Sequence, residues 1–284
     1  MIGIIDVGGG TRGVYGAGVF DYCMDNGIGF DYVIGVSAGS ANGAAFLAGQ
    51  RARNLRYYDR YAFRREYMSW HNMLHKGEYL DLDYIYSTLS NSDGEDPLDY
   101  AALMQNPVNL EIVATNALDG MPTYFSKSDM RQDCYDCIKA SCAVPIACKP
   151  YMVGGKLYFD GGLSDPIPYR RAFEQGCDRL VIVLTKPKTM FRTPGKDVVF
   201  ARRLRKNYPR AAELLESRSG VYNDSLRAIL SLEEQGIVKI IAPDDIGKMK
   251  TLTQDHEAIR ILYAKGYADA EGISGFLSNR KVRT

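Results

Sequence analysis

The chain has 284 residues, 46% hydrophobic and 24% charged, so it can bury a sizeable core and is not of the disordered type. Lysine and arginine (35) nearly balance aspartate and glutamate (34), so bulk charge gives no support to nucleic-acid binding, and we expect no such partner. Residues 1–20 lack a basic region before an apolar stretch, and no apolar run approaches the length of a membrane span. We therefore expect a cytoplasmic protein whose contact with membranes, if it has one, is peripheral.

The beginning of the chain predicts two successive β-α units. An apolar run at 1–6 ends at a glycine cluster and predicts a buried strand, and 14–27 has near-helical apolar spacing with a glycine stop. A second strand at 31–36 and a helix at 37–49 follow. This order predicts an α/β fold with a parallel sheet and crossover helices.

The rest of the chain continues this alternation. Residues 51–105 are predicted to be mostly helical, and 109–126 alternate apolar and polar residues around an Asp119-Gly120 turn, which predicts a hairpin. Further along, the patterns predict strands at 154–162, 178–185 and 237–243, and helices at 130–143, 166–176, 196–236 and 253–279.

A segment rich in proline and lysine at 185–196 marks a candidate boundary. The strand at 238–242 could complete the same sheet, so the region after the boundary need not be independent. We expect residues 1–284 to form a single α/β domain, with 186–284 a mainly helical C-terminal extension packed on the core.

Six cysteines include a CxxC pair, Cys134 and Cys137. A structural zinc site would need a second pair with similar spacing or a nearby histidine. Cys142 and Cys148 lack that spacing, and no histidine lies close in sequence. We interpret these residues as reduced thiols and expect neither a metal nor a cofactor.

A GxSxG sequence, Gly35 to Gly39, lies between the second predicted strand and the helix that follows. At such a junction it is typical of a nucleophile elbow, a sharp turn that presents a serine, here Ser37. Small neighbours are needed because the turn is strained, and the helix from Ala38 directs its N–H groups toward the reacting oxygen. The alternative is a glycine-rich turn with a solvated serine.

Three consecutive glycines, Gly8, Gly9 and Gly10, follow the first predicted strand and leave a bare backbone whose N–H groups can converge on an anion. The anion could be the oxyanion of an acyl intermediate. It could also be a pyrophosphate, because Gly8, Gly10 and Gly13 fit GxGxxG. A dinucleotide fold needs an acid at the end of the second strand, whereas Asp31 lies at its start, so placement disfavours a nucleotide.

An aspartate, Asp160, lies between a short predicted strand and two glycines. It could activate Ser37, although Asp-Gly also favours ordinary tight turns. The order Ser37, Asp160, His256 is that of an α/β-hydrolase triad. His256 lies on the polar side of an amphipathic helix, and the serine turn follows only the second strand, so a histidine-assisted esterase is the less favoured hypothesis.

The combination of these motifs resembles the patatin-like phospholipases. The segments that carry the resemblance are DVGGGTRG at 6–13, GVSAG at 35–39, the segment before the last motif at 140–151, and DGG at 160–162. Val7 is inserted into the family's glycine motif, but the three glycines remain. The resemblance extends over about residues 2–185, which would be the catalytic core.

The resemblance implies a three-layer α/β/α fold with a mainly parallel sheet and a serine acyl hydrolase, a lipase or phospholipase A-type esterase. It implies a catalytic dyad of Ser37 and Asp160 without histidine. The oxyanion hole would comprise Gly8, Gly9, Gly10 and Arg12, and the elbow Gly35, Ala38 and Gly39. The substrate would be a fatty-acyl ester or phospholipid.

Basic and aromatic residues alternate at 56–80, which includes Trp70, the single tryptophan. Such side chains suit a lipid–water interface, so a lid or interfacial helix is one hypothesis. An amphipathic helix packed on the sheet is the alternative that the pattern favours. For function, a histidine-assisted esterase and a nucleotide-binding module also stay open beside the Ser–Asp hydrolase.

Overall fold

The computed structural model describes residues 1–278, and one sheet of eight strands organises them. Most of the central strands are runs of β-branched and aliphatic residues, as expected for strands that are covered on both faces. The strands are β1 Ile2–Asp6, β2 Tyr32–Val36, β3 Asn109–Asn116, β4 Pro122–Ser126, β5 Tyr151–Val153, β6 Lys156–Asp160, β7 Arg179–Val183 and β8 Val238–Ile241.

Helices surround the sheet, and several begin at a side chain that caps the first turn. Ser69 accepts from the N–H of Asn72, and Asp255 accepts from the N–H of Ala258. The helices are α1 Val14–Asp25, α2 Ala38–Leu47, α3 Arg53–Asp59, α4 Trp70–Lys76, α5 Tyr100–Gln105, α6 Asp136–Cys142, α7 Tyr169–Glu174, α8 Asp197–Leu204, α9 Pro209–Glu234, α10 His256–Asp269 and α11 Gly272–Ser278.

The sheet is mainly parallel, as the sequence predicted. Its strand order is β5-β6-β3-β2-β1-β7-β8, with β4 also paired to β3. The five strands β3, β2, β1, β7 and β8 run parallel, whereas β4 and β6 pair antiparallel to β3. The loops that follow β1 and β2 therefore meet at the carboxyl edge of the sheet, where α/β folds bind ligands.

Alternate residues of the strands face two separate apolar cores. Ile4 and Val33 pack with residues of α1, α2 and α10 on one face of the sheet. Ile5 and Ile34 pack with residues of α7 and α9 on the other. Helices on both faces give three layers, so the predicted α/β/α architecture is confirmed.

Several sequence predictions differ from the structure. The helix expected at 130–143 begins only at Asp136, because Asp133 has a left-handed backbone (φ 60°) and Arg131 bridges Cys134, which a continuing helix does not allow. The short strand β5 was not predicted. The helix expected at 196–236 forms as α8 and α9, and the one expected at 253–279 forms as α10 and α11. Its expected last residue, 279, lies outside the described residues.

The C-terminal extension contributes β8 to the sheet and packs α10 closely on α1. A Cβ at Gly18 would lie 2.2 Å from the Tyr263 carbonyl, and one at Gly266 would lie 2.1 Å from the Tyr15 carbonyl. The two helix backbones therefore touch at glycines. From the shared sheet and this contact we infer that the core and the extension form one domain.

Candidate active site

Ser37 occupies the turn between β2 and α2. Its backbone is strained, with φ 56° and ψ −130°, a region that residues with a Cβ rarely adopt. Its carbonyl accepts from the hydroxyl of Ser40, and its N–H donates to the hydroxyl of Ser141 at 2.8 Å. Strain held in place by surrounding hydrogen bonds is the geometry of a nucleophile elbow.

The two glycines of the elbow are required by backbone contacts. A Cβ at Gly35 would lie 2.4 Å from the Cα of Ser40, and one at Gly39 would lie 2.2 Å from the carbonyl oxygen of Asp6. Neither position has room for a side chain. The GxSxG spacing thus follows from the tight approach of β2, α2 and the end of β1.

The glycine loop after β1 lies directly over the elbow. A Cβ at Gly8 would lie 2.2 Å from the Val36 carbonyl oxygen and 2.9 Å from the N of Ala38. The loop itself has left-handed backbone at Gly8, Gly9 and Gly10. The loop therefore approaches the start of α2 most closely at Gly8.

The fully buried side chain of Asp6 holds this loop by hydrogen bonds. Its carboxylate accepts from the N–H of Gly8 at 2.9 Å and from the side-chain amide of Asn42 at 2.8 Å. Burial raises the pKa of Asp6 to about 6, against the lowering effect of both hydrogen bonds. Because the Gly8 N–H is already engaged, it is not free to bind a substrate oxygen in this structure.

Asp160 ends β6 and is buried beside the elbow. One carboxylate oxygen accepts from the N–H of Gly162 at 2.8 Å. Burial raises its pKa above the ordinary value, while the nearby Ser37 side chain and the charge of Arg218 oppose the rise. The fold therefore brings together two residues that are 123 positions apart in sequence.

Ser141 supports the elbow and was not singled out by the sequence. Its hydroxyl accepts from the N–H of Ser37 and donates to the carbonyl of Val113 at 2.6 Å. It lies on α6, in the segment that resembles the family before the DGG motif. No sequence pattern distinguishes a helical serine with this role from any other serine. Only the resemblance of this segment to the family could have indicated the role of Ser141.

His256 lies away from this centre. It begins α10, its Nδ1 is 2.9 Å from a carboxylate oxygen of Asp59, and its ring stacks on Phe63 with centroids 3.7 Å apart. Its side chain is 54% exposed. His256 does not line the cavity that holds Ser37 and Asp160, so the order of residues suggested a triad that the fold does not assemble.

The segment 56–80 forms the end of α3, a 3-10 turn at Tyr61–Phe63 and α4, rather than one long helix. Trp70 and Met73 of α4 line the cavity mouth, yet Trp70 is 72% exposed and Leu74 is 81% exposed. His71 and His75 are both exposed on the same helix. The packed amphipathic helix that the pattern favoured is therefore not what this segment forms.

A cavity of about 500 Å³ opens at the carboxyl edge of the sheet and contains both Ser37 and Asp160. One part of its wall is apolar and comprises Trp70, Met73, Val144, Ile146, Phe200, Leu215 and Leu252. Another part comprises the glycine loop and four basic side chains, Arg12, Lys186, Arg192 and Arg218. Only Arg12 was predicted, because the other three lie in the extension and belong to no motif.

The acid considered for the nucleotide hypothesis, Asp31, does not lie at the glycine loop. Asp31 accepts from the N–H of Ile2 at 2.7 Å, at the amino end of β1 and therefore at the opposite edge from the glycine loop.

The cysteines do not take part in a metal-binding cluster in the described part of the chain. Residues 1–278 contain no group of three or more His, Cys, Asp or Glu placed to hold a metal ion.

Comparison with known proteins agrees with this geometry. Residues 7–173, more than half of the chain, match the family model of patatin-like phospholipases. The chain belongs to the patatin-like phospholipase family. A second model, a domain of unknown function called DUF6363, matches residues 208–274, which include α9, β8 and α10.

Patatin-like relatives occur in several bacteria. The protein YjjU of Escherichia coli K12 is 32% identical over 195 residues, which cover 68% of this chain and 54% of YjjU. The NTE family protein Rv1063c of Mycobacterium tuberculosis H37Rv is 28% identical over 168 residues, 56% of this chain and 42% of that protein. The chain thus matches about half the length of these relatives.

A solved patatin-like neighbour supports the fold. The crystal structure of VipD from Legionella pneumophila superposes with a TM-score of 0.54 at 15% identity, over 97% of this chain and 66% of that one. At this identity the likeness concerns the fold alone. Within the part of the chain that is described, no helix is both long enough and apolar enough to span a bilayer.

Proposed function

We propose that this patatin-like protein is a serine acyl hydrolase that cleaves fatty-acyl esters through a Ser37–Asp160 dyad. The observation that carries the proposal is the placement of both side chains in one cavity, with Ser37 in strained elbow geometry and close enough to Asp160 to lower the pKa of that carboxyl. Family membership supports a lipid hydrolase. The apolar wall of the cavity suits an acyl chain.

The reaction would pass through an acyl-enzyme. The Ser37 Oγ attacks the ester carbonyl while Asp160 accepts the hydroxyl proton, which gives a tetrahedral oxyanion. The C–O bond to the alcohol then breaks, and Asp160 returns the proton to the leaving alkoxide. A water molecule attacks the acyl-enzyme by the same steps, so that the fatty acid leaves and Ser37 regains its proton.

Main-chain N–H groups would stabilise the oxyanion. Since the Gly8 N–H donates to Asp6, the proposed donors are Gly9, Gly10 and Ala38. Gly8 then acts by fixing the loop over the start of α2 rather than by donating. Arg12 contributes charge at the same edge, and its Nη1 donates to the Thr251 hydroxyl at 3.0 Å.

Asp160 can act as the base because burial raises its pKa. An ordinary aspartate is too weak a base for a serine hydroxyl, and burial reduces this mismatch. Ser37 is near enough to lower the pKa of Asp160, and both side chains line the same cavity, so the carboxylate can take the hydroxyl proton without a histidine. This proximity supports a dyad.

A fluorophosphonate probe tests the nucleophile and the base together. We expect mass spectrometry to find the probe on Ser37, no labelling in Ser37→Ala, and labelling of His256→Ala at a rate within about 2-fold of wild type. The reason is that His256 is exposed and paired with Asp59 away from the cavity. Loss of labelling in a folded His256→Ala protein would instead favour the histidine-assisted esterase.

We further propose that α4 contacts lipid surfaces. Trp70 and Leu74 are exposed on a short helix whose other apolar residue, Met73, lines the cavity mouth. Exposed large apolar side chains beside a cavity for apolar chains suit peripheral contact with a membrane.

Replacing Leu74 by serine tests this contact. We expect hydrolysis of phospholipid vesicles to fall about 10-fold, because one buried leucine contributes about 1.5–3 kcal/mol at an apolar interface. Hydrolysis of soluble p-nitrophenyl butyrate serves as the reference rate. Leu118→Ser is the control, since Leu118 is 67% exposed and does not line the cavity. Equal losses in both variants would contradict a specific role of α4.

A further inference from the structure

Four basic side chains converge on the cavity and form what we call the cation cluster: Arg12, Lys186, Arg192 and Arg218. They come from three parts of the chain, namely the glycine loop, the loop after β7, which holds both Lys186 and Arg192, and α9. Three of them lie beyond residue 173, where the match to the patatin-like model ends. The cluster is therefore not part of the motifs that define the dyad.

The cation cluster lacks anionic partners within residues 1–278. None of its members forms an ion pair there, although eighteen other pairs are present. The Nε atoms of Arg12, Arg192 and Arg218 are buried and have no hydrogen-bond acceptor. A buried N–H group without an acceptor is costly, and a bound anion would satisfy these three.

The members are close enough to repel one another. Burial, together with the charges of the three guanidinium groups, lowers the pKa of Lys186 to about 8. Burial and the charge of Arg218 lower the pKa of Arg192 to about 10, and the same causes lower that of Arg12 to about 10. Mutual repulsion in a partly desolvated site is the condition that an anionic ligand relieves.

The cavity also contains two carboxylates, Asp160 and Asp197. Asp197 is close enough to raise the pKa of Lys186 and of Arg192, but it forms no ion pair with either. Against four cations, these carboxylates leave two formal positive charges unbalanced. The excess matches the charge of a phosphate monoester near neutral pH.

Neighbouring side chains hold Arg192 in position. The Arg192 N–H donates to the side-chain oxygen of Asn223 at 2.7 Å, and the Asn223 amide donates back to the Arg192 carbonyl at 2.9 Å. The Arg192 guanidinium stacks 4.1 Å above the ring centroid of Tyr222. Such preorganisation lowers the entropy cost of binding an anion.

The cation cluster lies next to the reacting groups. A Cβ at Gly162 would lie 3.1 Å from the Asp160 carboxylate and 3.9 Å from the Nη2 of Arg218. A Cβ at Gly9 would lie 3.2 Å from the Nη2 of Arg12. An anion on these guanidinium groups would therefore be separated from the ester carbonyl by only a few bonds.

We propose that the cation cluster binds a phosphate monoester on the alcohol side of the substrate, so that the preferred substrates are acyl esters of phosphorylated alcohols. This inference rests on the proposed function, since it assigns the head-group side of the same cavity. The acyl chain occupies the apolar wall, and the phosphate occupies the basic wall contributed mainly by the extension. The extension thereby determines specificity, while the core performs the chemistry.

The test compares two soluble substrates that share an acyl group, 1-butyryl-glycerol 3-phosphate and 1-butyryl-glycerol. We expect the wild-type kcat/KM to be at least about 10-fold higher for the phosphate ester. In Arg218→Gln, and separately in Lys186→Gln, this ratio should fall by about 10-fold or more, because a charge-assisted contact is lost. Arg227→Gln is the matched control, since Arg227 lies on α9, pairs with Asp224 at the surface and does not line the cavity.

Two outcomes would overturn the inference. One is an equal kcat/KM for the two esters in wild type, with Ser37 still labelled by fluorophosphonate, which would refute the phosphate preference and leave the hydrolase proposal intact. The other is an increase in Tm with inorganic phosphate that is lost in Arg218→Gln, without preference for the phosphate ester, which would indicate a site for free phosphate. Absence of both labelling and ester hydrolysis would instead refute the proposed function on which the inference rests.

Discussion

Asp160→Asn is expected to reduce ester hydrolysis by about 10²- to 10⁴-fold, the range of a lost general base, while the protein stays folded. Asparagine keeps the oxygen that accepts from the Gly162 N–H, but its amide cannot accept the Ser37 proton. It also removes a buried carboxylate whose charge is unfavourable, so the Tm at pH 7 should not fall. The measurements are kcat/KM for p-nitrophenyl butyrate, the rate of fluorophosphonate labelling and thermal denaturation.

Asp165→Asn is the matched control. Asp165 lies five residues later, is partly buried, accepts from the Tyr124 hydroxyl at 2.7 Å, and burial raises its pKa too. It does not line the cavity, so its replacement should change the rate by less than about 2-fold. Comparable losses in both variants would show that a buried carboxylate supports the local fold, and would remove Asp160 from the dyad.

The pH profile of the wild type provides a second readout of the base. Only the ionised carboxylate can accept a proton, and burial raises the pKa of Asp160 above its ordinary value of 3.8. Activity should therefore rise with pH through the raised pKa, with its acidic limb above the range of an exposed aspartate. An acidic limb of the pH–activity profile near pH 6.5 that disappears in His256→Ala would contradict the assignment of Asp160 as the base.

Gly8→Ala is expected to lower the free energy of unfolding by about 3 kcal/mol or more, because two penalties act together. Gly8 has a left-handed backbone (φ +59°), and its new Cβ would lie 2.2 Å from the Val36 carbonyl oxygen. Backbone atoms of β2 cannot move away without disturbing the elbow. We expect the Tm to fall by roughly 10 °C and fluorophosphonate labelling of Ser37 to be lost.

Gly27→Ala separates the two penalties. Gly27 has nearly the same backbone conformation (φ +64°), but its Cβ would meet nothing within 4 Å. Its replacement should cost only the conformational penalty, about 1 kcal/mol, with no loss of labelling. If the two variants lost equal stability and both kept labelling, close packing of the glycine loop on the elbow would not be needed for the site.

Local sequence patterns predicted much of this fold. The first two β-α units, the hairpin at 109–126 and most of the later strands and helices form where periodicity placed them, because apolar runs and glycine stops are local properties. The helix expected from residue 130 begins late, because the left-handed Asp133 interrupts it and short-range propensity does not reveal such a residue.

The site was predictable to the extent that a motif implies a backbone shape. GxSxG predicts an elbow because a side chain at either glycine would clash with the backbone. Here a Cβ at Gly35 would meet Ser40, and one at Gly39 would meet Asp6. Neither Ser141 nor the basic residues after 185 belong to such a motif. A hydroxyl on α6, or an arginine on α9, has the same local pattern whether it faces the cavity or the solvent.

By itself, the sequence determined the α/β alternation, the elbow at Ser37 and the glycine loop, since each depends on residues within a few positions of one another. The tertiary structure alone decided which distant groups share the cavity. It brought Asp160 to Ser37, left His256 outside beside Asp59, and gathered Lys186, Arg192 and Arg218 around the glycine loop. The physical reason is that strand order and helix packing across the whole sheet decide which distant side chains come together. No short segment of the sequence encodes that arrangement.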